Sequence, residues 1–290
     1  MRKAVLLLIF LLLMGYASAS KRVLIDEYYA QENTFTEKDN TLFLGKLSTL
    51  GYTVDINKEK LTRERLAEYD ILMLQNPARA LEKPEQDAIL GFVKKGGGLI
   101  ILGQWTRGSI GWNDVSRESF NELTQNFGIT FDATAVDDNS NKAGCHCTPI
   151  VHMIKVHKTT ENVKNIVMYW PCSLTVKDAA VLATGDDDTQ ATGIKDSKHG
   201  EEIILAAAAE YGKGRVVVVG TSGMFADRWA QEPEWDNVTF GLNVVAWVGE
   251  NAGKGGVNLS GFAIAVVYLL LVIGIFETVE RVRKVKEKRH

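Results

Sequence analysis

The sequence predicts an α/β fold with a mostly parallel sheet and helices on both faces. Two observations lead to this prediction. From Arg22 to Gly103, short apolar runs alternate with helical stretches, which is the pattern of βαβ units. The apolar runs also lack a regular polar face, as strands do when helices cover both sides of a sheet.

The elements of this first part follow in a regular order. The predicted strands are KRVLIDE, YTVDI, DILMLQNP and LIILG. The predicted helices between them are TLFLGKLSTLG, Leu61 to Tyr69, and KPEQDAILGFVKKGGG. Pro84 lies in the first turn of the last helix and glycines follow its end, which are the usual start and stop signals of a helix.

The second part is less regular. After the fourth strand we predict a loop, QWTRGSIGWNDVS, then a helix from Arg117 to Phe127 and a short strand at 128–131. Ala133 to Asp178 is predicted to be irregular. EIILAAAAEYGKGRVVVVGTS predicts two strands joined by a tight turn at Gly212-Lys213-Gly214, and Asp236 to Val248 predicts an amphipathic helix.

Both ends of the chain carry membrane signals. Residues 1–19 have Arg2 and Lys3 before an apolar run and a small-residue pattern ending at Ala19, which predicts a cleaved signal peptide. Residues 257–278 are predicted to be a transmembrane helix, because the stretch from Gly255 to Phe276 carries no charge. The competing interpretations are an uncleaved anchor and a buried core helix.

These signals predict the domain organisation. The tail at 279–290 is basic, which places it in the cytoplasm and the domain at 21–249, joined by a linker at 250–256, outside the cell membrane. The formal net charge is -3, and no basic stripe lies outside the tail. A nucleic-acid partner is therefore excluded.

Several motifs in their order resemble a known family. VLIDE, YDILMLQNP, VKKGGGLIILG, GKGRVVVVGTSGMF and DNVTFGLNVVAWV are similar to the GIFT domain, a relative of class I glutamine amidotransferases. That family includes GldG-type ABC-transporter-associated proteins and the DDOST-type oligosaccharyltransferase subunit. The resemblance implies a flavodoxin-like, amidotransferase-like fold and membership of an integral membrane protein complex.

The residues after the fourth strand argue against catalysis. An amidotransferase needs a cysteine on a sharp turn between a strand and a helix. Here the strand is followed by Gly103-Gln104-Trp105-Thr106-Arg107-Gly108, with neither Cys nor Ser. Ser109 follows without the flanking glycine pattern and is interpreted as a loop hydroxyl. We therefore expect a protein that is not an enzyme, with no cofactor.

Polar side chains follow the predicted strands. Because ligands of open parallel sheets bind beyond the carboxyl ends of the strands, these residues are candidates for binding a glycan or a peptide. The alternative is that they cap helices and satisfy loop backbone. The candidates are Asp26, Glu27, Gln75, Asn76, Gln104, Trp105, Thr221 and Ser222.

The chain has three cysteines, Cys145, Cys147 and Cys172. The sequence favours a disulfide from Cys172 to Cys145 or Cys147, because thiols pair in an exported chain. The alternatives are a zinc site that adds His152 to the cysteines, unpaired thiols, or a catalytic Cys-His pair without a supporting motif.

Two further patterns have ordinary interpretations. Asp186-Asp187-Asp188 lacks the spaced oxygen ligands of a calcium loop and is interpreted as a solvated turn. The sequons at Asn237 and Asn258 fall at a helix start and beside the predicted span, so neither is assigned a glycan.

Three functions follow from these observations. The first is a membrane-anchored, non-catalytic binding or assembly module, an accessory subunit in glycan transfer or ABC-type transport. The second is a cell-envelope hydrolase that uses Asp26, Glu27 or the Cys-His cluster at Cys145-His146-Cys147, with His152 and His157 just after it. The third is a structural tether without a ligand.

Overall fold

The strands carry most of the architecture. The computed structural model describes residues 20–29, 37–76, 78–107, 110–111, 114–193, 197–230 and 235–252. The strands among these residues are, in chain order, β1 (Arg22–Asp26), β2 (Thr53–Asn57), β3 (Ile71–Gln75), β4 (Gly98–Leu102), β5 (Thr106–Arg107), β6 (Ile110–Gly111), β7 (Ile129–Phe131), β8 (Thr134–Asp137), β9 (Ile150–Val151), β10 (Met153–Ile154), β11 (Ile166–Val167), β12 (Leu174–Val176), β13 (Ala180–Thr184), β14 (Gln190–Gly193), β15 (Ser197–His199), β16 (Ile204–Tyr211) and β17 (Gly214–Val219).

The helices connect the strands of the main sheet. In chain order they are α1 (Thr41–Thr49), α2 (Arg63–Leu66), α3 (Lys83–Lys94), α4 (Asp114–Thr124), α5 (Asp227–Ala230) and α6 (Asn237–Gly249). The start of α3 is a reciprocal cap, in which the backbone N–H of Glu82 donates to Oε2 of Glu85 over 2.8 Å. Pro84 occupies the first turn, where no backbone donor is needed.

The main sheet is mixed. Its strand order is β10-β13-β16-β17-β4-β3-β1-β2, with β12 and β7 attached beside β16. The strands from β17 to β2 in this order run parallel to their neighbours, whereas β16, β13 and β10 pair antiparallel. The α/β prediction is therefore confirmed, but only part of the sheet is parallel.

Helices cover both faces of the parallel strands. On one face, Phe43 and Leu47 of α1 pack with Phe240 and Val244 of α6 and with alternate strand residues such as Ile25. On the other face, the buried residues include Ile89 and Val93 of α3, Phe120 and Leu123 of α4, and Leu24 of β1. Because side chains alternate along a strand, β1 contributes to both cores.

Two small sheets include strands from the stretch that was predicted to be irregular, which holds β8, β9 and β11, whereas β14 and β15 follow it. β8, β14 and β15 form one sheet, and β9 pairs with β11. The prediction for Ala133 to Asp178 is wrong, because these strands are only two to four residues long and carry too few residues to show a periodicity.

Some predicted boundaries are also wrong. The predicted loop after β4 contains β5 and β6, and the helix that was expected to start at Arg117 starts at Asp114. The predicted helix from Leu61 to Tyr69 has one turn, Arg63–Leu66, capped by the hydroxyl of Thr62, which accepts from the backbone of Arg65 over 3.1 Å. β2 has partly exposed side chains because it lies at the edge of the sheet.

Ser20–Gly255 form one compact unit. The predicted signal peptide at 1–19 and transmembrane helix at 257–278 lie outside the described residues, and so do most of the linker and the whole tail. Among the residues that are described, there is no helix with both the length and the apolar composition needed to cross a bilayer.

Candidate functional site

The predicted binding residues lie along one edge of the main sheet. Because β1, β2, β3, β4 and β17 are parallel and in register, their carboxyl ends meet at this edge. Four strand spacings separate β2 from β17, which makes the edge about 19 Å long. We call its polar residues the strand-end row: Asp26, Asn57, Gln75, Asn76, Gln104, Thr221 and Ser222.

Asp26 is a buried carboxylate at the end of β1, only 1% exposed. Its Oδ1 accepts from Nδ2 of Asn57 over 2.7 Å, and its Oδ2 accepts from the backbone N–H of Tyr29 over 2.9 Å. Burial raises the pKa of Asp26 to about 6, although these hydrogen bonds favour its ionised form. Asp26 can therefore exchange a proton near neutral pH. Glu27 is half-buried, and its backbone N–H donates to the carbonyl of Asn57 over 3.0 Å.

Asn57 was missed by the sequence analysis. It ends β2 and is fully buried, and its Nδ2 also donates to the carbonyl of Glu59 over 2.6 Å. Its Oδ1 finds no partner among the described residues. The signal was available, because Asn57 follows YTVDI as Asp26 ends VLID.

Gln75 and Asn76 follow β3 and are both buried. Asn76 has a φ of 32°, which is uncommon for a residue other than glycine. Its backbone N–H donates to the carbonyl of Leu102 over 2.7 Å, so the chain turns across the end of β4. Unusual backbone geometry of this kind concentrates at functional sites.

The other end of the row follows β4 and β17. The hydroxyl of Thr221 donates to the carbonyl of Tyr169 over 2.5 Å. The hydroxyl of Ser222 is buried without a partner among the described residues. Gln104 is buried, and its Oε1 accepts from the backbone N–H of Trp105 over 3.2 Å.

An aromatic stack borders this end of the row. The ring of Trp170 lies between those of Trp105 and Tyr169, with centroids 4.7 Å away on each side. Trp105 is buried, whereas Trp170 and Tyr169 are half-buried. The backbone of Trp170 has a φ of 50°, which is a rare conformation for a bulky residue. The sequence indicated Trp105 only, because the other two rings lie in the stretch predicted to be irregular.

The cysteine pairing differs from the prediction. Cys145 and Cys147 form a disulfide with each other, with their Cα atoms 5.1 Å apart. Cys172 is a free, fully buried thiol, and burial raises its pKa to about 12. The predicted bond from Cys172 to Cys145 or Cys147 is therefore wrong. A bridge over one intervening residue is possible because the Cα separation falls within the normal disulfide range.

The zinc alternative is also wrong. Cys145 and Cys147 are bonded to each other, and the thiol of Cys172 donates to the carbonyl of Gly220 over 3.5 Å. Nε2 of His152 lies 3.5 Å from the carboxylate oxygen Oδ2 of Asp186. These four side chains therefore do not converge as the ligands of a zinc ion must.

Three carboxylates converge where the sequence predicted a solvated turn. Asp138, Asp186 and Asp188 have oxygens within 4.8 Å of one another, which is a spacing that a divalent cation can bridge. Asp138 is buried, and the hydroxyl of Thr189 donates to it over 3.0 Å. Burial raises the pKa of Asp138. The sequence missed this cluster because Asp138 is distant along the chain.

Solved structures with the same fold are known. The mmIFT52 N-terminal domain aligns with a TM-score of 0.64 and 17% identity, over 81% of this chain and 100% of that chain. Cytoplasmic Protein STM1381 from Salmonella typhimurium LT2 aligns with a TM-score of 0.51 and 15% identity, over 79% of this chain and 99% of that chain. Identities this low show similarity of fold alone. No curated protein sequence matches the chain.

The predicted localisation is corrected by these findings. We expected a single-pass cell-membrane protein with an extracytoplasmic domain. Among the described residues there is no helix that could span a membrane, and STM1381 is titled as a cytoplasmic protein. The single-pass cell-membrane localisation is therefore not proposed further.

The predicted family is corrected by a direct match. The model of a domain of unknown function, DUF4350, matches residues 43–245. The resemblance to the GIFT domain, to glutamine amidotransferases and to an oligosaccharyltransferase subunit is therefore wrong. Its motifs, such as VKKGGGLIILG and GKGRVVVVG, mark buried strands and glycine turns that α/β folds share. The chain belongs to the DUF4350 family.

Proposed function

We propose that this chain is a non-catalytic binding module whose ligand is a carbohydrate chain, held along the strand-end row. The observation that carries the proposal is a pair of buried polar atoms, Oδ1 of Asn57 and Oγ of Ser222, without partners among the described residues. An unsatisfied buried polar atom destabilises a fold by about 1–3 kcal/mol. Ligand hydroxyls at the two ends of the row would supply the missing partners.

The topology of the sheet supports this position. The five parallel strands follow the order β2-β1-β3-β4-β17, which is the flavodoxin-like order if β17 is counted as the fifth strand. In such sheets, ligands bind beyond the carboxyl ends, where the strand order reverses between β1 and β3. Asp26 and Gln75 end these two strands.

The aromatic stack supports a sugar over other polar ligands. Trp170 and Tyr169 are half-buried, so parts of both rings remain accessible beside Thr221. An aromatic ring packs on the apolar face of a sugar while neighbouring amides and hydroxyls bind its polar edge. The row is about 19 Å long, which suits several linked sugars better than one.

Asp26 gives the row a group that changes its hydrogen-bonding role. With a pKa of about 6, its carboxyl donates a hydrogen bond when protonated and only accepts when ionised. A sugar hydroxyl can pair with either form. Because a hydrogen bond to the ionised carboxylate is the stronger one, binding is expected to strengthen as the pH rises through about 6.

The non-catalytic assignment rests on the turn after β4. Gly103, Gln104 and Trp105 follow this strand, and none of them is a nucleophile. Gln104 and Trp105 are well suited to binding, through an amide and a flat ring.

The test is titration of the protein with neutral oligosaccharides of two to six sugars, followed by the backbone amide signals in NMR spectra. Signals of the strand-end row should shift. Gln75→Ala and Ser222→Ala should weaken binding roughly tenfold each, because each removes a hydrogen bond to the ligand. Gln125→Ala is the matched control, since Gln125 is exposed at the end of α4, outside the row.

Two outcomes would overturn the proposal. One is that no oligosaccharide shifts the row at millimolar concentration. The other is that short peptides shift it and saccharides do not, which would indicate a peptide-binding module.

The raised pKa of Asp26 favours one alternative, a hydrolase with Asp26 as general acid or base. An activity on glycosides that wild-type protein shows and Asp26→Asn lacks, with binding retained, would favour this function. Binding without turnover by either protein would favour the binding module.

A further inference from the structure

We infer that the Cys145–Cys147 disulfide is a thiol–disulfide exchange site that accepts two electrons from a protein dithiol. Cys145 is exposed and Cys147 is buried, so an incoming thiolate reaches one sulfur and not the other. The site is separate from the hydrogen-bonding groups of the strand-end row. It shares only the aromatic stack with them.

The disulfide contributes little as a structural link. It joins residues separated by two positions in the sequence. The stabilisation that a disulfide gives grows with the length of the loop it closes, and this loop is nearly the shortest that a bridge can close. The bond also connects no separate elements of the fold, because both cysteines lie between β8 and β9.

Each sulfur has a hydrogen-bond donor directed at it. Nε1 of Trp170 donates to Sγ of Cys147 over 3.1 Å, and the backbone N–H of Cys147 donates to Sγ of Cys145 over 3.2 Å. Hydrogen bonds to a thiolate stabilise it more than they stabilise a neutral sulfur. Both donors therefore favour the reduced pair and the departure of each sulfur as a leaving group.

The position of the Trp170 donor is fixed from several sides. Its ring lies between Trp105 and Tyr169, and its backbone N–H donates to the carbonyl of Cys147 over 3.0 Å. Trp170 thus contacts Cys147 through both its side-chain Nε1 and its backbone N–H, while its backbone has a left-handed φ of 50°. A rare conformation for a bulky residue persists only where the surroundings impose it.

The reaction proceeds in two exchange steps. A substrate thiolate attacks Sγ of Cys145, a new S–S bond forms, and Cys147 leaves as a thiolate that accepts from Nε1 of Trp170. The second substrate thiolate then attacks the substrate sulfur of this mixed disulfide and expels Cys145. The substrate dithiol is oxidised to a disulfide, the Cys145–Cys147 bond is reduced to two thiols, and the protons pass through solvent.

The first test is reduction of the folded protein in dithiothreitol and in glutathione buffers, with alkylation and peptide mass analysis. At equilibrium without denaturant, we expect the Cys145–Cys147 disulfide to be reduced while the circular dichroism spectrum stays that of the folded protein. Trp170→Phe should slow reduction by roughly tenfold, since it keeps a stacked ring and removes the donor to a charged sulfur. Trp247→Phe, a tryptophan of α6 away from the pair, should react at the wild-type rate.

The second test traps the intermediate and does not depend on Trp170. Cys147→Ser, with its Cys145 first converted to the mixed disulfide with thionitrobenzoate, should exchange with a reduced model protein that keeps one cysteine of its pair, forming the protein–protein mixed disulfide and releasing thionitrobenzoate. Cys145→Ser should form far less, because Cys147 is buried. Equal trapping by both variants, or reduction of the wild-type pair only in unfolding denaturant, would overturn the inference. Neither outcome bears on oligosaccharide binding, which is measured with the pair oxidised.

Discussion

The carboxylate of Asp26 accepts a hydrogen bond from the amide of Asn57 over 2.7 Å, at the point where β1 and β2 both end. This contact keeps a titratable group buried beside a polar side chain that has an unused acceptor. The pair defines the part of the strand-end row where a pH change has its largest effect.

Asp26 makes stability depend on pH. Its pKa is about 6 in the folded protein and near 3.8 when unfolded, so the folded state holds the proton more tightly. The stabilisation is fully present below about pH 4 and is lost as pH rises through 6, a change of about 3 kcal/mol. Urea unfolding at several pH values from 4 to 7.5 should show this loss.

Asp26→Asn should remove the contribution of Asp26 to the slope of the unfolding free energy against pH. Its absolute stability should fall, because the new amide nitrogen faces a donor from either Asn57 or Tyr29. Asp187→Asn, at an exposed carboxylate, should keep the wild-type slope. A slope unchanged in Asp26→Asn would contradict the assignment.

Cys172 should be unreactive in the folded protein. Its thiol is fully buried and burial raises its pKa to about 12, so almost no thiolate exists at neutral pH. Iodoacetamide should leave Cys172 unmodified in native protein and modify it in 6 M guanidinium chloride, as measured by peptide mass. Modification of native Cys172 as fast as that of reduced Cys145 would show that the thiol is accessible.

Gly220 should tolerate no side chain. A Cβ at this position would lie 2.0 Å from the carbonyl oxygen of Cys172, in a backbone contact that cannot move aside. Gly220→Ala should lower the free energy of unfolding by about 3 kcal/mol or more. Gly45→Ala is the matched control, because its Cβ meets nothing within 4 Å and α1 should gain about 0.5–1 kcal/mol. Thermal and urea unfolding measure both.

Asn237 should be required for folding rather than glycosylated. It is fully buried, and its Nδ2 donates to the carbonyls of Val167 and Met224 over 2.7 Å each. Asn237→Asp replaces the donor with an oxygen facing these carbonyls and should destabilise the fold by about 3 kcal/mol or more. Asn243→Asp loses one bond at a half-buried site and should cost under about 1.5 kcal/mol. Equal losses would contradict this account.

The sequence predicted the parallel part of the fold well. Strands such as DILMLQNP and LIILG are continuous apolar runs, and the glycines after α3 mark its end, so local patterns suffice to identify them. The direction of β16 and β13 in the sheet does not follow from their composition. Antiparallel pairing there depends on contacts between residues distant in sequence.

The candidate site was predicted only in part, because local patterns identify the residues that end strands but not those that reach the site through turns. Asp26 and Gln75 were found because each directly ends a recognisable strand. Trp170 and Tyr169 were missed, since they reach the sheet edge through a turn with a left-handed residue that no periodicity signals. The pairing of Cys145 with Cys147 was missed because it depends on a tight turn, closed by the backbone N–H of Thr148 and the carbonyl of Cys145 over 2.9 Å, that no periodicity signals.

The bonds of Asn237 have a consequence for the modularity of the chain. The side-chain amide of Asn237, at the start of α6, forms hydrogen bonds with the backbone N–H and carbonyl of Val167 in β11. The backbone N–H of Cys172 donates to the carbonyl of Gly220, directly after β17. The stretch between β4 and β16 is thus fastened at separate points to elements that follow it in sequence. Exchanging the whole stretch between relatives would therefore break these contacts unless the segments around Gly220 and Asn237 were exchanged with it.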